Sequence, residues 1–244
     1  MKQWHITVIA LVVLLLATIW LVPSARMGVE VVLFDLLEDN PYVETEAQAK
    51  SILDAFQTIS VSELPEDYIR RNKMDQKPFQ EMCRNMRFRV LTKKDTYRRI
   101  AGDVRIIDVL SRDDTFHSLH YFSKDEVYLG IDERIIYRLI ALQDALARSG
   151  YNPDALLVRF GHRHPVLNTE IGGASKSRHI VGEALDISID DVDGDGRYTD
   201  TDKAIVLDLC ENDIISDSGG IGRYPGTRSI HIDVRGYRAR WDQQ

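Results

Sequence analysis

Cysteine is scarce in this chain: two among 244 residues, Cys83 and Cys210. They stand too far apart for a Cys-x-x-Cys metal or redox motif, and give either one disulfide or two buried free thiols. Proline (seven) and glycine (fifteen) follow no period, which excludes collagen-like and low-complexity architecture. A surplus of positive charge is missing. With a formal net charge of −7, a nucleic-acid binder working through a basic face is excluded. Several hydrolase signatures are absent too: the chain has no His-Glu-x-x-His, no Ser-x-x-Lys and no Gly-x-Ser-x-Gly. What is present, 44% hydrophobic and 28% charged residues, describes a globular chain of one or two domains, not a disordered one.

From Ile6 to Val22 no residue is charged, with Lys2 before the run and Pro23 and Arg26 after it. Such a run sits at the lower limit for crossing a bilayer. The one candidate cleavage site, Pro23-Ser24-Ala25, has an unfavourable proline at its first position. The sequence therefore predicts an N-terminal transmembrane helix over 1–23, with a cleaved export signal or a buried core helix as alternatives. On that expectation the chain is membrane-anchored, and its main domain is extracytoplasmic, periplasmic or at the cell surface.

Residues 24–115 read as a spacer or accessory region without a chemical constellation. Ala49, Ile52, Leu53, Phe56 and Ile59 recur at helical spacing, while Met86, Phe88 and Val90 alternate with Arg87 and Arg89 as in a half-exposed strand. Residues 116–244 carry the chemistry. Over 131–149, Ile135, Leu139, Leu142 and Leu146 line one helical face, and Gly150 stops the helix. Strand patterns follow at 184–189 and 230–234. This mixture predicts an α+β fold, a small antiparallel sheet with flanking helices.

Residues 177–186 read Ser-Arg-His-Ile-Val-Gly-Glu-Ala-Leu-Asp, a pattern S-x-H-x-x-G-x-A-x-D. Imidazole and carboxylate are both good zinc ligands, and Gly182 with Ala184 lets the backbone fold closely around an ion. Leu185, Ile187 and Ile189 share one side of the strand, leaving Asp186 on the other. A catalytic zinc needs a third protein ligand. In Ser229-Ile230-His231-Ile232-Asp233-Val234-Arg235, the apolar residues take one side, and His231, Asp233 and Arg235 share the polar one.

The stretch Gly161-His162-Arg163-His164-Pro165…Asn168…Gly172-Gly173-Ala174…Ser177-Arg178-His179…Gly182-Glu183-Ala184-Leu185-Asp186 resembles the core of the zinc D-Ala-D-Ala carboxypeptidase family. The ending Gly219-Gly220-Ile221-Gly222-Arg223-Tyr224-Pro225…His231-Ile232-Asp233-Val234-Arg235 resembles one branch of it. The resemblance runs from about residue 131 to the end. It implies His179, Asp186 and His231 as zinc ligands, Arg163 as the arginine that holds the substrate or polarises its carbonyl, and peptidoglycan stem peptides, cut beside D-amino acids, as substrate. Several family members place an acidic general base three residues before the last histidine ligand, where this chain has Arg228; others place a histidine five before it, at Gly226 here. Asp233 is then the leading catalytic candidate for the base, set against a structural role binding the Arg235 region or orienting a ligand. His164 and Glu183 are weaker options.

Residues 186–217 hold eleven acids against Arg197 and Lys203, a local −9 that leaves the rest of the chain at +2. Within them, Asp191, Asp193 and Asp195 stand at positions 1, 3 and 5 of a twelve-residue pattern, Gly196 at 6, Arg197 at 7 through its carbonyl, and Asp202 at 12. That is calcium-loop spacing, similar to a single dockerin or EF-hand loop, and predicts structural calcium at 191–202. The functional expectation is a zinc peptidase acting on peptidoglycan. The alternatives are a non-catalytic, zinc-stabilised domain that binds wall peptides or a partner, and a calcium-dependent adaptor resting on the loop alone.

Overall fold

The computed structural model describes residues 22–111 and 126–242, apart from the side chains of Pro23 and Ser24. Helix α1 (Pro23–Leu37) opens on a proline, whose missing N–H a first helical turn does not need. Asp35 ties this helix to the body of the chain. It accepts bonds from Arg105 and Arg99, and the Arg105 guanidinium lowers its carboxyl to about 2. Helix α2 (Glu46–Asp54) begins with a reciprocal Thr45–Gln48 capping box. Strand β1 (Thr58–Ser60), helices α3 (Glu66–Arg71) and α4 (Phe79–Cys83), and strand β2 (Arg87–Leu91) follow. Next come the β3 (Arg99–Ala101) and β4 (Val104–Arg105) pair, helix α5 (Ile106–Val109) and strand β5 (Val127–Leu129). Strands β1, β2 and β5 form a three-stranded antiparallel sheet.

Helix α6 (Glu133–Arg148) starts at Asp132, whose side chain caps the Arg134 amide, and stops before Gly150, which takes φ +79°. Its buried face carries Ile135, Leu139, Leu142 and Leu146, the stripe expected from the sequence. The rest of the chain supplies β6 (Leu156–Phe160), α7 (Pro165–Glu170), β7 (Ala184–Ile189), α8 (Asp200–Leu209), β8 (Gly220–Arg223), β9 (Ser229–Asp233) and β10 (Ala239–Asp242). These strands form one sheet in the order β10-β8-β9-β7-β6.

Register decides what this sheet does. One row across it pairs Leu185 with Ile232 and Ile232 with Ile221, and these side chains are buried in the same apolar cluster as α6. The neighbouring row pairs Phe160 with Asp186, Asp186 with His231, His231 with Gly222, and Gly222 with Trp241. Because side chains alternate along each strand, one row builds core and the next builds the site.

Three expectations are corrected here. The sheet is neither small nor purely antiparallel: it has five strands, and β10 runs parallel to β8. The helical stripe through Ile59 ends early, since α2 stops at Asp54 and Ile59 lies in β1. Of the membrane helix expected over 1–23, residues 1–21 lie outside the described residues. Among those described, no helix is long and apolar enough to cross a membrane, so the structure does not support a membrane-anchored form. Described residues before 112 and those after 125 share both apolar clusters. Val43, Leu53 and Ile106 pack in one with Ile135 and Ile232, and Phe88 and Tyr68 in the other with Ile180. The two cysteines are free and buried, Cys83 raised to about 11 and Cys210 to about 12 by burial.

Candidate metal centre

His179 sits on a short 3-10 turn, Arg178–Val181, closed by Gly182 in the left-handed conformation at φ +71°. A side chain at 182 has no space: its Cβ would lie 1.9 Å from the Gly130 carbonyl oxygen. The glycine thus lets the turn fold tightly onto the segment before α6, and β7 then starts two residues later. Asp186 and His231 are paired neighbours on the central strands β7 and β9.

Three atoms converge. His179 Nε2 lies 3.1 Å from Asp186 Oδ1 and 3.1 Å from His231 Nδ1, and His231 Nδ1 lies 2.9 Å from the same Asp186 oxygen. All three residues are buried. The outer nitrogens fix what the inner ones offer. His179 Nδ1 is 2.7 Å from the Gly161 carbonyl oxygen, which can only accept, so Nδ1 carries the proton. His231 Nε2 lies 3.1 Å from Asp233 Oδ2, and an ionised carboxylate accepts likewise. Two imidazole lone pairs and a carboxylate therefore point at one another, an arrangement that a divalent cation satisfies and that fits the zinc donor set.

Electrostatics point the same way at His179 and Asp186, and favour the charged form at His231. Burial lowers the pKa of His179 against the opposing pull of Asp186. Burial would raise Asp186, but His179 and His231 outweigh it and hold the carboxyl far below its usual range. Burial would lower His231, and the carboxylates of Asp186 and Asp233 reverse that. Asp186 is thus ionised, and Asp233 keeps negative charge behind His231.

A comparison with known families decides the classification: residues 122–233 match the model of the peptidase M15 family. This segment belongs to the peptidase M15 family. No curated protein and no solved structure matches the chain. The family is zinc-dependent, and the His-Asp-His group lies inside the matched M15 segment.

The M15 centre opens into a cavity of about 530 Å³. His179 and His231 form part of its wall, with Arg163, Lys176, Arg178 and Arg235 around them and Tyr224 and Trp241 beside them. No aspartate or glutamate lines it among the described residues. Trp241 lies beyond the M15 segment on the last strand, its ring 5.1 Å from that of His231. It reaches over Gly222, where a Cβ would come within 2.8 Å of the indole. Burial pushes the Tyr224 phenol up to about 12.

Arg163 is where the sequence placed it, beside the centre. Its guanidinium donates to Asp186 and stacks 4.2 Å from the Phe160 ring. Asp233 differs from the expected base. It is fully buried on the far side of the His231 ring, with Arg235 donating to both its oxygens and the Gly220 amide to one. This geometry matches the structural role weighed for it, binding Arg235 and orienting His231. Glu183 pairs with Arg178 and Arg134, and His164 Nε2 lies 3.0 Å from the Tyr68 hydroxyl. Arg228 pairs with Asp190 and stacks on Tyr198.

The acidic loop gathers only part of its expected set. Asp191, Asp193 and Asp195 stand close enough to share one cation, and the Gly196 amide donates to Asp191 at 2.8 Å. The Arg197 amide donates to Asp195 at 3.0 Å. Asp202 does not join them. It is buried, accepting from the amides of Val192, Asp193 and Thr199 and from the Thr199 hydroxyl. It is the capping-box partner of Thr199 at the start of α8. The twelfth position of the calcium pattern thus serves a helix start.

The sequence reading missed Trp241 and Lys176 as parts of the cavity, and Gly222 as the residue that makes room for the indole. The Gly-x-Gly before Tyr224 was the available signal, since a glycine inside a strand marks close approach by another group.

Proposed function

We propose that this chain is a zinc-dependent peptidase that cleaves peptidoglycan stem peptides next to D-amino acids, with His179, Asp186 and His231 holding the metal. The observation that carries the reading is the convergence of three buried acceptor atoms within 3.1 Å of one another, inside an M15 segment. A zinc ion held there supplies a Lewis acid that polarises a peptide carbonyl and activates water. The chain's own residues do the rest. Asp233, clamped by Arg235, orients His231, and the Gly161 carbonyl orients His179. Arg163 steadies Asp186 and holds positive charge beside the ligands, where a developing oxyanion is stabilised. Trp241 covers one side of His231 and narrows the cavity.

A second reading is a non-catalytic domain that binds wall peptides through the same zinc-stabilised cavity. It is favoured by one observation: among the described residues no carboxylate lines the cavity to take a proton. Digestion of purified muropeptides, read by mass with and without a chelator, separates the two. Chelator-sensitive cleavage that returns with zinc supports the peptidase; peptide binding without cleavage supports the second reading.

Calcium at the acidic loop is the lesser part of the proposal, supported by the gathering of Asp191, Asp193 and Asp195. Added calcium should raise the melting temperature of the parent and not of Asp191→Ala. Identical melting curves remove calcium from the account.

A further inference from the structure

The cavity over the metal ligands has four cations in its wall, Arg163, Lys176, Arg178 and Arg235. Three of them are held in ion pairs: Arg163 with Asp186, Arg178 with Glu183 at 3.0 Å, and Arg235 with Asp233 at 2.6 Å. Lys176 has no ion-pair partner among the described residues, and it is exposed.

The loop that carries it is fixed. Asn168 is buried and donates from its side chain to the Ala174 carbonyl at 3.0 Å, while the Gly173 amide donates to the Asn168 carbonyl at 2.8 Å. Gly173 has no space for a side chain, because a Cβ there would lie 2.3 Å from Asn168 Oδ1. The Ser177 amide donates back to the Ala174 carbonyl at 3.0 Å. An ammonium three residues ahead of His179 is therefore carried on a braced loop. A compact, hydrated cation of this kind suits a group that arrives from solvent with its own negative charge.

We infer that Lys176 is a specificity residue that pairs with the free terminal carboxylate of the substrate, so that the chain acts on the end of a peptide rather than within it. This rests on the peptidase reading and deepens it from a peptide to a carboxylate-ended peptide. Arg163 is less suited to that carboxylate, because its guanidinium is already engaged by Asp186 and Phe160.

The test uses the zinc-loaded chain and one short peptide ending in two D-alanines, supplied with a free or an amidated terminus. The parent should favour the free acid. Lys176→Met should raise KM for the free acid by about tenfold, leave kcat nearly unchanged, and leave the amidated peptide unaffected. Lys176→Arg should restore most of the preference. Equal effects of Lys176→Met on both peptides, or none on either, overturn the inference. If the parent cleaves neither peptide, the muropeptide digestion decides the peptidase reading separately. Calorimetric binding of the same two peptides to parent and Lys176→Met then decides the role of Lys176, with loss of the free-acid preference as the supporting result and unchanged binding as the overturning one.

Discussion

Among the described residues two groups of side chains could hold a metal ion, the acidic one lying in sequence between Asp186 and His231 of the other, and they are built in opposite ways. At His179, Asp186 and His231 the inner atoms face one another, are buried, and have their outer atoms taken by Gly161, Asp233 and Arg163. At the acidic loop Asp193 and Asp195 are exposed, and the carboxylates accept bonds from the loop's own amides. The first group suits a cation because Asp186 Oδ1 and the inward nitrogens of His179 and His231 face one another in a buried place, with Arg163 engaging only the other Asp186 oxygen. The second can remain solvated. Charge density is thus a poor guide to a metal site; enforced convergence in a dry place is a better one.

The sharpest way to break that comparison is to deform the turn that carries His179. Gly182→Ala forces a left-handed residue and a backbone clash and should cost about 3 kcal/mol or more, a fall in melting temperature of roughly 10 °C. A small change would mean the turn is looser than described. Asp233→Asn comes next. It removes the negative charge behind His231 while keeping the shape, and zinc affinity, read by competition with a chelating dye, should fall about 10–100-fold. Unchanged affinity would return Asp233 to a purely structural place.

The loop should respond differently. Asp202→Ala removes four accepted bonds at the start of α8 and should cost about 2 kcal/mol in urea unfolding, with zinc content unaltered. In calcium-free buffer Asp193→Ala, exposed and mainly paired with a neighbouring amide, should change stability by no more than about 0.5 kcal/mol. If Asp193→Ala proved as harmful as Asp202→Ala only with calcium present, the loop would be organised by an ion.

The contrast also explains which parts were legible in the sequence. The triad was readable because Ser-x-His-x-x-Gly-x-Ala-x-Asp is local, and each of its fixed positions has a steric or ligand reason close by, Gly182 above all. The helix over 133–148 was readable from its apolar stripe. Trp241 was not, because it reaches His231 only through the pairing of β10 with β8 and of β8 with β9, and β10 joins parallel where an antiparallel sheet was expected. Asp202 was misassigned for a different reason. Thr199-x-x-Asp202 is a capping box and Asp191…Asp202 a calcium spacing in the same residues, and only the amides facing Asp202 distinguish them. Asp233 shared the polar side of β9 with His231 as expected, but strand parity does not tell whether a carboxylate faces the cavity or the back of an imidazole.

Zinc content, measured on the purified chain and on paired variants of the two clusters, tests the account most directly. The parent and Asp193→Ala should each hold about one zinc per chain, whereas His179→Ala, Asp186→Ala and His231→Ala should hold almost none while remaining folded by circular dichroism. Full zinc in all three triad variants, or its loss in Asp193→Ala alone, would contradict the assignment of the buried triad as the metal centre.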